Sequence, residues 1–161
     1  MNLRLIFLGK AKPTSLRPAI DEYLGRLKKL TRLEICELRD ERIDRRPPEL
    51  IREKEGERIL AALTPSDYVV VCDERGKAVS TDHLVCELRK FREGESAFAG
   101  RGRICVVVGG ALGVSPAVRQ RADAVWSLSG CVLAGSVARL ILAEALYRAC
   151  TVIHGHPYHN A

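Results

Sequence analysis

Three glycine-bearing segments stand out as places where chemistry could sit: Asp73-Glu74-Arg75-Gly76-Lys77, Gly109-Gly110-Ala111-Leu112-Gly113 and residues 127–135, SLSGCVLAG. Each follows an apolar run. Glycine lets a backbone approach a ligand closely and adopt positive φ. A pocket built from such loops offers main-chain amides and small apolar side chains, which suits a nucleoside, although plain tight turns would carry the same residues. A fourth segment is the tail, residues 154–161 (HGHPYHNA), which holds three of the four histidines. Imidazole and phenol rings stack on nucleobases and donate hydrogen bonds. No carboxylate or cysteine is near enough in sequence to complete a metal site with these histidines, so the tail reads as substrate-facing and no metal is expected.

Other chemistries lose ground on inspection. From Arg101 onward there are six arginines and only two carboxylates, Asp123 and Glu144. A hydrolase needing two acids a few ångströms apart is therefore disfavoured. A dinucleotide fingerprint would require glycine where Val108 stands, and a phosphate-binding loop would require glycine at Val71 and a hydroxyl at Ala78. No Gly-x-Ser-x-Gly elbow is present. Cys36, Cys72, Cys86, Cys105, Cys131 and Cys150 form no Cys-x-x-Cys pair, and several lie in apolar runs, where a free thiol behaves as a small buried hydrophobe.

The elements that must position these loops follow a βαβ rhythm. Strands are expected over residues 3–9, 33–39, 67–73, 103–110 and 122–129, the second nearer an edge and the fourth (RICVVVGG) buried on both faces of a parallel sheet. Between them, apolar residues recur at helical spacing over residues 16–30, 49–63 and 84–91, with Gly56 a weak point in the second helix. Ser80 or Thr81 can cap the third helix, and Ser115 with Pro116 opens a short one. The last helix, from about Ser136 to Ile153, is apolar around most of its circumference, which points to a second subunit covering it. In an open parallel sheet, ligands bind beyond the carboxyl ends of the strands, where the three glycine segments fall.

With 161 residues and 47% hydrophobic content, the chain fits a single domain over residues 1–161. Residues 132–150 are interrupted by Arg139, Glu144 and Arg148, and residues 1–10 lack a secretory pattern, so a cytoplasmic protein without a membrane anchor is expected. The net charge of +6 favours a polyanionic partner.

The order of these motifs is specific. Val108-Gly109-Gly110 through Leu112-Gly113-Val114-Ser115-Pro116, then Trp126-Ser127-Leu128-Ser129, Ala143-Glu144-Ala145-Leu146-Tyr147-Arg148-Ala149 and His156-Pro157-Tyr158-His159 together resemble the ribosomal RNA large-subunit methyltransferase H family of the SPOUT superfamily. The resemblance runs the length of the chain. It implies an α/β, parallel-sheet SPOUT-type fold with a C-terminal deep trefoil knot, and a homodimer that uses S-adenosyl-L-methionine to methylate N3 of a pseudouridine in 23S rRNA, within the assembled ribosome. A tRNA methyltransferase of the same superfamily and a non-catalytic ribosome-binding factor are the alternatives. By position, cofactor contacts fall on Cys72, Gly110, Leu128, Ser129, Gly130, Cys131, Val132 and Leu133. Arg139, Tyr158 and His159 are the candidates for orienting the base or handling its proton, whereas Glu144 and Arg148, one turn apart, read as a structural pair. The chain departs from the family pattern at Ala111-Leu112, at Gly135-Ser136 and at Asn160, where the family commonly carries a polar or acidic residue, a His-Pro pair and a basic residue.

Overall fold

The computed structural model describes residues 1–12 and 14–158. In chain order the strands are β1 (Asn2–Leu8), β2 (Arg32–Leu38), β3 (Asp67–Ala78), β4 (Arg103–Val108) and β5 (Ala124–Ser127). The helices are α1 (Arg17–Leu30), α2 (Pro48–Ala62), α3 (Thr81–Glu93), α4 (Pro116–Arg121) and α5 (Gly135–Ile153). All five strands run parallel in the order β2-β1-β4-β3-β5. The apolar β4 takes the centre, buried at every position after Arg103, because a parallel strand flanked by helices on both faces meets no water. β2, more polar, is an edge.

The pleat divides the apolar residues between two cores. Leu3, Leu5 and Phe7 of β1, with Ile104, Val106 and Val108 of β4, face α1, α3 and α5. Ile6, Leu8, Cys105 and Val107 face the opposite side, with Ile59 of α2 and Val118 of α4. Ser80 caps α3 by accepting from the His83 N–H at 3.1 Å, and Ser115 caps α4 by accepting from the Val118 N–H at 3.3 Å.

Four expectations need correcting. β3 does not stop at Asp73 but continues to Ala78 through a break in register, with Cys72 and Lys77 both opposite Trp126. β5 is shorter than expected, since Ala122 ends α4 and the chain after Ser127 turns into a loop. Gly56 is not a weak point: a Cβ there would lie 2.2 Å from Ser115 Oγ, so glycine is what lets α4 seat on α2. Much of the cover on α5 comes from the chain itself, with Leu142, Ala143, Leu146, Ala149 and Cys150 fully buried beneath α1 and α3. Among the described residues, no helix is long and apolar enough to cross a membrane.

Candidate functional site

A cleft of about 580 Å³ opens at the carboxyl end of the sheet. Three segments build it: residues 72–75 at the register break within β3, residues 108–113 at and beyond the end of β4, and the loop between β5 and α5, with Ala138 closing one side. Seven of the residues expected to hold a cofactor line it: Cys72, Gly110, Leu128, Ser129, Cys131, Val132 and Leu133. Gly130 sits in the same loop but is exposed and outside the lining.

Local hydrogen bonds set the shape of these loops. The Ser127 hydroxyl donates to the Ser129 carbonyl at 2.7 Å, and Ser129 Oγ accepts from the Cys131 N–H at 3.0 Å, folding residues 127–131 into a compact turn. Across the cleft, the Gly113 N–H donates to the Gly110 carbonyl at 3.0 Å, and Gly113 takes φ +81°, a conformation that costs a side chain. Burial pushes the Cys72 thiol up to about 12. Burial also opposes ionisation of Asp73, but hydrogen bonds from Arg75 and Arg119 outweigh it and hold the carboxyl at about 2. The cleft therefore offers a buried, already paired carboxylate in Asp73, the more exposed Glu74, the backbone of its loops, and apolar walls from Val108, Leu128 and Leu133.

A Cβ on Gly110 would lie 2.5 Å from Glu55 Oε2, so glycine there also leaves room for a buried side chain of α2. Glu55 is itself buried, accepts from the Glu41 N–H at 2.9 Å, and has its pKa raised chiefly by that burial. Sequence reasoning missed it because Glu55 sits in a run of charged residues, REKEGER, any of which could face water. The adjacent Gly56 was the available signal, since a glycine inside a helix marks a face that another element approaches closely.

Of the three residues expected to handle the substrate, Arg139 and Tyr158 do not line this cleft. Arg139 is 3% exposed and lies outside the lining; its guanidinium donates to the Leu8 and Gly9 carbonyls and stacks 4.8 Å from the centre of the Phe7 ring. Tyr158 packs on α5, its ring 4.7 Å from that of Tyr147, and its hydroxyl donates to Glu144 Oε1 at 3.3 Å. A hydrogen bond with Tyr23, burial and the Glu144 charge together push the Tyr158 phenol up to about 12. His159 lies outside the described residues. Glu144 and Arg148 form the ion pair their spacing predicts.

The family model described as "Predicted SPOUT methyltransferase" matches residues 1–159, which takes in all three cleft loops. This chain belongs to the SPOUT methyltransferase family. Proteins named ribosomal RNA large subunit methyltransferase H match this SPOUT chain over nearly its whole length. The one from Bacillus pumilus is 36% identical, covering 99% of this chain and 100% of the relative. The one from Desulfovibrio desulfuricans is 40% identical over 98% and 97%, and that from Heliobacterium modesticaldum 37% identical over 99% of each. For a SPOUT methyltransferase, the distribution of groups is informative: the cleft has many backbone donors and acceptors and no unpaired buried acid of its own. Such a site suits binding and orientation better than acid–base chemistry.

Proposed function

We propose that this SPOUT methyltransferase transfers a methyl group from S-adenosyl-L-methionine to N3 of a pseudouridine in 23S rRNA, acting on the assembled ribosome in the cytoplasm. The observation that carries this reading is the end-to-end likeness to relatives named ribosomal RNA large subunit methyltransferase H. The cleft fits the cofactor: its volume of about 580 Å³ is that of a small-molecule site, and its walls combine apolar side chains, suited to a flat base, with loop backbone. In the proposal, Cys72, Gly110 and residues 128–133 hold the cofactor, and Asp73, kept ionised by its arginines, favours the cationic end of an amino acid. When bound, the cofactor supplies an electrophilic methyl group. The chain's own contribution is alignment, which can supply much of the rate.

Arg139 acts in this proposal by fixing the Leu8 and Gly9 carbonyls at the end of β1, beside the β4 strand whose loop lines the cleft. Tyr158 and His159 are assigned to the RNA, because they follow the last cofactor loop in sequence and their rings can stack on bases and hydrogen-bond them. The proposal includes a C-terminal trefoil knot in this single domain, and a homodimer through the part of α5 that its own helices leave half-buried, Leu140, Ile141, Ala145 and Val152. Leu140→Arg is then expected to give a folded monomer by sedimentation, whereas Leu142→Arg, in the chain's own core, unfolds it. Mass spectrometry of 23S rRNA from cells with and without the gene tests the activity. The modified nucleoside is expected to vanish without the gene; label from the cofactor appearing in tRNA instead would overturn the choice of substrate.

A further inference from the structure

Two basic segments beside the cleft carry cations that the packing does not use. Lys10 and Lys12 follow β1, and Arg39, Arg42 and Arg45 follow β2. All five are exposed, and none of their side chains makes a hydrogen bond or ion pair among the described residues. Because β1 and β2 are parallel neighbours, both segments leave the sheet at its carboxyl end, the end that carries the cleft. The Gly9 N–H donates to the Leu38 carbonyl at 2.8 Å and holds the two strand ends together.

Two chains of contact tie these segments to the cleft walls. The Glu41 N–H donates to Glu55 at 2.9 Å, and Glu55 lies behind Gly110, which lines the cleft. On the other face of the sheet, the Gly9 carbonyl accepts from Arg139 at 2.9 Å, next in sequence to Ala138, which closes one side of the cleft. The cations therefore border the cleft on its β1–β2 side.

Neighbouring carboxylates do not cancel them. Glu41 pairs with Arg46 at 3.0 Å and also with Arg58, and Asp44 pairs with Arg46 at 2.9 Å. Asp40 and the buried Glu55 remain, so the five cations leave an excess of three positive charges even with both acids ionised. Farther out the charges balance: Arg17 and Arg139 face Asp21 and Glu37, and across the cleft Arg75 and Arg119 face Asp73 and Glu74. Exposed cations spread along two loops suit a run of phosphates, where attraction and counterion release need no single fixed geometry. A lipid surface instead takes cations backed by a broad apolar face. Ile43 is the one large apolar side chain exposed among residues 39–46.

We infer that residues 10–12 and 39–45 form the docking surface for the ribosomal RNA backbone, seating phosphates beside the cleft while the target base enters it. The choice of RNA rests on the methyl-transfer reading. A variant combining Arg39→Gln, Arg42→Gln and Arg45→Gln tests the surface. Its control combines Lys28→Gln, Lys29→Gln and Arg32→Gln, an equal loss of exposed charge at the opposite end of the sheet. None of these six side chains is bonded among the described residues, so both variants are expected to keep the wild-type fold and cofactor affinity.

Ribosomes from cells lacking the gene are the probe, with binding followed by sedimentation between about 50 and 200 mM salt. The arginine variant is expected to lose about tenfold or more in affinity, and its plot of log K against log salt to become shallower by about 2 to 3. Lys10→Gln with Lys12→Gln, on the other segment, is expected to lower the slope by about 1 to 2. The control keeps wild-type affinity and slope. Transfer of labelled methyl groups to the same ribosomes is read separately: wild-type protein that binds with this salt dependence but transfers nothing overturns the methyl-transfer reading and leaves the surface standing. The surface is overturned if wild-type protein does not bind ribosomes, if the arginine and lysine variants keep the wild-type slope, if the control loses as much, or if vesicles of anionic phospholipid compete with ribosomes for the protein.

Discussion

The two ends of the sheet are built on opposite plans. At the amino end, side chains close every approach. Asp67, 1% exposed, accepts from Arg103 and from the Thr64 N–H, each at 2.7 Å. Glu34 takes Arg4 at 3.0 Å and Arg103 at 2.9 Å, and Asp123 takes Arg101 at 2.7 Å and Arg121 at 3.2 Å. At the carboxyl end the loops instead leave backbone groups facing a cleft, with Asp73 and its two arginines as the ion cluster there. One end is fastened by charge and the other is open, on the side of a parallel sheet where ligands generally bind.

This contrast changes the meaning of the basic composition. All six arginines after residue 100 are engaged within the chain: three at the amino end, Arg119 on Asp73, Arg148 on Glu144, and Arg139 on the β1 carbonyls. The basic C-terminal third is therefore chiefly structural reinforcement, and the net charge does not by itself mark the face that meets RNA.

The sharpest way to break the comparison is to unfasten the amino end. Asp67→Ala leaves Arg103 and the Thr64 N–H without a buried acceptor and is expected to cost about 3 kcal/mol in urea denaturation. Cofactor affinity of the folded fraction, measured by calorimetry, should stay within a few fold. A large loss of affinity would mean that the two ends are coupled.

At the open end, S-adenosylmethionine at a hundredfold excess over its Kd is expected to stabilise the protein by about 2.7 kcal/mol, a rise of roughly 5 to 11 °C in Tm, and NAD to do nothing. Gly110→Val should erase that rise in a thermal-shift assay by driving Glu55 and the glycine loop apart. Undiminished binding in this variant would remove Gly110 from the site.

Asp73 tests the buried charge of the open end. Its folded pKa is depressed to about 2, so its contribution is complete above the unfolded value of about 3.9 and is lost as pH falls through about 2. That contribution is about 2 kcal/mol. Asp73→Asn should flatten this part of the acid-unfolding profile, and an unchanged profile would show that the pairing carries no stability.

Smaller effects belong to the periphery. Deleting residues 156–161 removes the seat of Tyr158 on Tyr147 and is expected to cost about 1 kcal/mol, while abolishing methyl transfer to ribosomes and leaving cofactor affinity within a few fold. If cofactor binding fails as completely as catalysis, the tail belongs to the cofactor pocket. Glu34→Ala, at a half-exposed pair of the amino end, is expected to cost under about 1 kcal/mol by urea denaturation.

How far the sequence reached is visible in particular residues. The continuous apolar run at residues 104–108 required a strand buried on both faces, and Ser115-Pro116 required a helix start, because burial pattern and capping are local properties. The three glycine segments were legible as neighbours of one cleft because parallel strands place all their carboxyl ends on the same side. The register break in β3 was not legible, since it depends on how β5 docks beside it.

What the sequence alone determined is thus the class of elements, their order and the end of the sheet where a ligand would sit. Tertiary structure decided which charged groups are free. Glu55 looks on paper like a dozen surface residues and Arg139 like a substrate-facing one, yet Glu55 is buried behind Gly110 and Arg139 against the Leu8 and Gly9 carbonyls. Burial of a single charge depends on which distant segments happen to cover it, residues 8–9 for Arg139 and residue 110 for Glu55, and no local spacing records that.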